Sequence, residues 1–218
     1  MRFAGARWEG ADHRLLDALH GCGHRRPVVA AAARTLSYAG EHGALWLVTG
    51  LAGAAADRAR RGPWLRATAL TATAHLTSMA LKRLVRRPRP RPAAARGGAA
   101  RAVVGRHSFP SSHATSAVAA AAVFGVLRPG ARRVGAPVAA AMCLSRLVVG
   151  VHYPTDVAAG ALLGAVTARL GERWVLRGAG VPRAGAGRPE PDRAGARRLG
   201  TGHEADRFCI RPPGRRRG

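Results

Sequence analysis

Acidic side chains are scarce in this chain: 11 Asp and Glu stand against 36 Lys and Arg over 218 residues, a formal net charge of +25. Lysine is scarcer still, since Lys82 is the only one and the other 35 basic residues are arginine. Cysteine is too sparse for a disulfide framework: Cys22, Cys143 and Cys209 are odd in number, far apart, and form no CxxC or zinc spacing. Aromatic residues make up only 5%. The apolar mass is instead Ala, Val, Leu and Gly, so helices must pack through small side chains and close backbone approach, as membrane helices commonly do. No apolar run has the strong hydrophobicity usual in a span of about twenty residues. A cleavable signal is not expected either, because Glu9, Asp12 and Asp17 interrupt the start of the chain.

Hydrophobic residues nevertheless reach 47%, which excludes wholesale disorder, and the length suits one domain with a sizeable core. Five apolar segments stand out, at roughly 39–56, 64–82, 111–127, 134–151 and 156–171, with arginines at their ends: Arg58, Arg60 and Arg61, then Arg128, Arg132 and Arg133, then Arg173 and Arg177. A charge of this size raises the possibility of a nucleic-acid partner. Its distribution argues against one, because thirteen basic residues lie from Arg169 onward and nine lie between Lys82 and Arg106. Charged loops around membrane spans give that pattern. The expectation is an all-α, multi-pass transmembrane bundle of about five spans over residues 38–177. An interfacial amphipathic segment (1–37) precedes it, and a disordered arginine-rich tail (178–218) follows.

Three short polar blocks interrupt the apolar pattern: Lys82 with Arg89-Pro90, then Pro110-Ser111-Ser112-His113, then Ser145-Arg146 with His152 and Asp156. The first closes the second segment, the second opens the third, and the last joins the fourth to the fifth. One span out and one back between His113 and Ser145 brings all three to the same end. Their chemistry is complementary. Lys82, Arg89 and Arg146 can neutralise phosphate charge, and Arg146 sits among Leu144, Leu147, Val148 and Val149, where a buried cation needs an anionic partner. Ser111 or Ser112 can cap the following helix, whose free N–H groups suit a phosphate. His152 can attack phosphorus with Asp156 hydrogen-bonded to its other nitrogen, while His113 protonates the leaving oxygen; no metal or cofactor is called for. Taken singly, each residue also fits a plainer role, a capping Asp or Ser, a solvated His, or a headgroup-contacting Arg.

Together the blocks resemble the three motifs of the type 2 phosphatidic acid phosphatase superfamily, whose site is shared with vanadium-dependent haloperoxidases. That pattern is Lys, six residues, Arg-Pro; Pro-Ser-Gly-His; and Ser-Arg, five residues, His, three residues, Asp. Ten positions match, from Lys82 to Asp156, and the departure is Ser112 in place of Gly. The resemblance implies a membrane-embedded lipid phosphate phosphatase with a phosphohistidine on His152, Asp156 behind it, His113 as acid, and Lys82, Arg89, Ser111 and Arg146 on the phosphate. A polyprenyl phosphate or diphosphate is the expected substrate class, and the positive-inside tendency places the site on the extracytoplasmic face of the cell membrane. The alternatives are a vanadate-dependent haloperoxidase or a noncatalytic basic membrane protein.

Overall fold

The computed structural model describes residues 6–90 and 106–177, which form seven α-helices, with an isolated bridge between Pro88 and His107 in place of any sheet. The expected tail at 178–218 lies outside the described residues. The helices are α1 (Ala6–His24), α2 (Pro27–Ala39), α3 (Ala44–Ala56), α4 (Arg61–Val85), α5 (Ser112–Leu127), α6 (Pro129–Val148) and α7 (Pro154–Val175). Proline opens α2, α6 and α7, where its missing N–H costs nothing and its fixed φ suits a first turn.

The five apolar segments correspond to α3 through α7. Two boundaries differ from the sequence expectation by five residues, the others by four or fewer. The sequence pattern starts the first segment at residue 39, but α3 begins at Ala44, because His42 and Gly43 take positive φ values of 53° and 74° and turn the chain. The pattern starts the fourth at residue 134, whereas α6 starts at Pro129, a proline that opens the helix. In the segment expected at 1–37 as one amphipathic unit, the described residues form α1 and most of α2, both packed on α6. On α1 the positions 12, 16 and 20 share a face, and Asp12, Leu16 and His20 are all buried.

Helix α5 lies at the centre, in contact with α3, α4, α6 and α7. Small residues allow this. Ala114, Ala117, Ala119 and Ala120 are fully buried. On the facing helix, Gly160 and Gly164 bring backbone against backbone: a Cβ at Gly160 would collide with the Ser111 carbonyl, and one at Gly164 with the Thr115 carbonyl. A larger apolar cluster of Trp46, Trp64, Phe124, Leu127 and Met142 fills the space among α3 to α6.

Several buried hydroxyls inside the bundle are satisfied locally. The hydroxyls of Thr71, Thr115 and Ser116 donate to the carbonyl four residues back, and that of Ser78 to the carbonyl three residues back. Large apolar side chains point the other way: Leu76, Leu84, Leu162 and Leu170 are each at least 66% exposed. Among the described residues no helix is long and apolar enough to cross a membrane. Helices α3 and α5 are short, at 13 and 16 residues, and serine, threonine or arginine interrupts the longer α4, α6 and α7.

Candidate active site

All three blocks meet at one end of the bundle. Lys82, in the last turn of α4, reaches across to the segment before α5 and donates to the carbonyls of Ser108 (3.1 Å) and Pro110 (2.6 Å). An ammonium has three donors, so one is left for a ligand. Ser111 caps α5, its hydroxyl accepting from the Ala114 N–H, and Ser112 forms the first residue of that helix. The Ser111 N–H donates to the Asp156 carbonyl at 2.9 Å, which joins the second block to the third through main chain alone.

His152 is buried in the turn between α6 and α7. Its Nε2 lies 3.2 Å from Nη1 of Arg89. An arginine can only donate, so Nε2 carries the lone pair, and in the neutral ring the proton sits on Nδ1. Burial, followed by the charges of Arg89, Lys82, Arg146 and His113, holds the imidazole well below its usual range. It is therefore a neutral imidazole with its lone pair beside a guanidinium. Arg89 also donates to the Val151 carbonyl at 2.8 Å, and burial pushes its own pKa down to about 10.

Asp156 differs from the sequence expectation in one respect. Its Oδ2 stands 3.6 Å from His152 Nδ1, an ion-pair distance beyond hydrogen-bond length, and Nδ1 has no hydrogen-bond partner. The carboxylate is already engaged. Oδ2 accepts the Tyr153 N–H at 2.9 Å, as an acid in the first turn of a helix can, and Oδ1 accepts Arg87 Nη1 at 2.8 Å. The capping role and the place behind the histidine, two alternative readings of one residue, are both occupied by Asp156.

Arg146 is 5% exposed in the last turn of α6, and its Nε has no hydrogen-bond partner. Arg89, as a like charge, and Glu41, as an opposite one, lie within electrostatic range. An unsatisfied buried guanidinium is costly unless an anion meets it. The neighbouring Ser145 turns away and donates to the Met142 carbonyl. His113, in the first turn of α5, directs Nε2 to the carbonyl of Ser37 in α2 at 3.1 Å, so Nδ1 is the nitrogen left for other chemistry.

Each residue expected in the site is thus at this end: Lys82, Arg89, Ser111, Ser112, His113, Arg146, His152 and Asp156. Three further residues were not anticipated. Arg87 binds Asp156, Asp12 binds Arg87 (2.8 Å), and Tyr153 lies under the Arg87 guanidinium at 4.2 Å. A signal existed for Asp12, one of few acids in an arginine-rich chain. Arg87 was hidden among Arg83, Arg86 and Arg91, any of which could have contacted headgroups.

The arrangement leaves Lys82, Arg89 and Arg146 around the neutral His152 ring, while Arg87 is neutralised by two carboxylates. Such a site can bind a phosphate dianion and stabilise charge building at phosphorus. Among the described residues no three His, Cys, Asp or Glu side chains gather as a metal site. A separate cavity of about 310 Å³, lined by Leu51, Ala54, Ala55, Arg58, Arg61 and Leu65, lies near the start of α4 and shares no residue with this site.

Residues 63–178 match the PAP2 superfamily. The chain is 44% identical over 150 residues to the decaprenylphosphoryl-5-phosphoribose phosphatase of Mycobacterium tuberculosis, covering 66% of this chain and 80% of that protein. To the enzyme of the same name from Mycolicibacterium smegmatis it is 45% identical over 141 residues, 62% of this chain and 73% of that protein. In three dimensions it is similar to a transmembrane PAP2 type phosphatidylglycerolphosphate phosphatase from Bacillus subtilis, with a TM-score of 0.63 and 21% identity, covering 79% of this chain and 88% of that one.

Proposed function

This chain belongs to the PAP2 superfamily and is a phosphatase, and from that premise we propose that it removes the terminal phosphate of a polyprenyl-phosphoryl pentose phosphate through a phosphohistidine on His152. The observation that carries the proposal is the His152 ring, with Nε2 next to Arg89 and Nδ1 facing Asp156. Arg89, Arg146 and Lys82 hold the nonbridging oxygens, with the α5 N-terminus at Ser111 and Ser112 as a further anion cradle. Nε2 attacks phosphorus, the bond to the sugar oxygen breaks, and His113, entering the step as the imidazolium with Nε2–H on the Ser37 carbonyl and its second proton on Nδ1, gives that oxygen the Nδ1 proton. Water then attacks the phosphohistidine, returns a proton to His113 and releases inorganic phosphate. The pentose phosphate follows from the names of the mycobacterial relatives.

In this reading α3 to α7 span the cell membrane, with the site on the extracytoplasmic face. The outward leucines of α4 and α7 support it, since only outward faces meet lipid while hydropathy averages count inward serines and threonines as well. The arginines at the opposite helix ends support the orientation.

The test is phosphate release by detergent-purified protein from farnesyl-phosphoryl-5-phosphoribose in the presence of EDTA. A brief exposure to labelled substrate, quenched in alkaline denaturant where an N–P bond survives, should trap a phosphoenzyme in the wild type and none in His152→Ala. Near-normal turnover by His152→Ala would remove the nucleophile assignment, and loss of wild-type activity on chelation would remove the metal-independent mechanism.

A further inference from the structure

Asp156 has two duties and few free contacts, and the means by which it is held come largely from outside the three motifs. Its Oδ1 is taken by Arg87, and a guanidinium on a carboxylate draws away the negative charge that a neighbouring imidazole would feel. Arg87 is not alone. Its Nη2 donates to Asp12 at 2.8 Å, its Nη1 also donates to the Thr155 hydroxyl at 2.7 Å, and its plane lies over Tyr153. Asp12 in turn accepts from the Thr155 N–H at 3.1 Å and from the Thr155 hydroxyl. Asp12, on α1, is 143 residues from Thr155 in the chain and only 5% exposed.

We propose that Asp12 and Arg87 are positioning residues for phosphoryl transfer, with Arg87 fixing the Asp156 carboxylate behind His152 and Asp12 restoring the negative charge that Arg87 withdraws. This rests on His152 being the nucleophile. Asp12, Arg87 and Asp156 together carry one net negative charge. When Nε2 bonds to phosphorus and Nδ1 keeps its proton, the ring becomes positive, and that single negative charge stabilises it. With Arg87 alone the group behind the ring would be neutral; without Arg87 the Oδ1 atom would lose its anchor and two buried carboxylates would face each other. The N-terminal helix is thereby a working part of the catalytic domain.

The experiment compares wild type, D12N, R87K, R87M and D12N/R87M in phosphate release from farnesyl-phosphoryl-5-phosphoribose, with a thermal melt of each to confirm folding. D12N should lower kcat about tenfold while KM moves less than about threefold, because the lost interaction strengthens only in the transition state. R87K, which keeps the charge, should retain most of kcat. The deciding variant is D12N/R87M, which returns the net charge behind His152 to its wild-type value and should exceed D12N in kcat several-fold despite having fewer contacts. Wild-type kcat in folded D12N, or a double variant no faster than D12N, would overturn the proposal while leaving the phosphohistidine reading intact. A wild type that releases no phosphate and traps no phosphoenzyme would overturn both.

Discussion

Along the α5–α7 seam the two backbones touch, whereas the α1–α2 layer reaches the site largely through side chains. Gly160 and Gly164 admit the carbonyls of Ser111 and Thr115 into the space a Cβ would fill, and the Ser111 N–H bonds to the Asp156 carbonyl. The N-terminal layer instead sends Asp12 to Arg87 and Thr155, His13 to the Tyr153 hydroxyl (3.1 Å), and the Ser37 carbonyl to His113. The seam fixes how the turn that carries His152 stands against the N-terminus of α5. The layer adjusts the charge and orientation of groups already there.

That contrast can be broken at the seam first. Gly160→Val puts two methyls against the Ser111 carbonyl, where no flexible side chain can yield, so the phosphate cradle must shift; overpacking of this kind costs about 1–3 kcal/mol. Phosphate release should fall at least about a hundredfold with a lowered melting temperature. A folded Gly160→Val with wild-type kinetics would mean that the seam does not set the site. Next in size is Arg89→Lys, which keeps the charge and loses the planar guanidinium whose Nη1 contacts both His152 and Val151; kcat/KM should fall by about ten- to a hundredfold with the fold intact.

The protonation of His152 gives a third, smaller effect. Its folded-state pKa lies well below 6.5 while the unfolded chain titrates near that value. Below about pH 6.5 the unfolded state therefore takes up a proton that the folded state refuses, and stability falls as pH drops. Melting temperatures of wild type and His152→Gln should converge or cross on acidification, with the wild type losing more. The acid limb of kcat/KM that reports the free nucleophile should correspondingly lie below pH 6.5. Smallest is His13→Phe on the layer: the ring keeps its edge contact with Tyr153 and loses one hydrogen bond, worth about 0.5–1.5 kcal/mol, so phosphate release should stay within about threefold of wild type.

The sequence was most legible where composition and chemistry coincide. Five apolar segments became α3 to α7 because their residues are good helix formers bounded by arginine and proline, and polar blocks at matching ends had to meet once the helices ran antiparallel. It was less legible where a residue's partner is remote in the chain. Nothing local distinguishes Arg87 from Arg86, yet Arg87 is clamped by two carboxylates while Arg86 ends α4 with a positive φ of 54° and donates back to Arg83. Asp12 could be seen as unusual but not paired. The separation of Asp156 from His152 was likewise beyond periodicity, since it depends on Tyr153 and Arg87 competing for the same carboxylate.

The bond from Ser111 N–H to the Asp156 carbonyl has a consequence for how such chains can diverge. Both partners are main-chain atoms, so exchange of either side chain leaves the link in place. Residues may be gained or lost between α5 and α6 without disturbing it, provided α7 returns in register. A one-residue slip of α7 would offer the carbonyl of Thr155 or Val157 instead and swing His152 away from Arg89. Length between the blocks is free to drift, whereas the count from His152 to Asp156 is not.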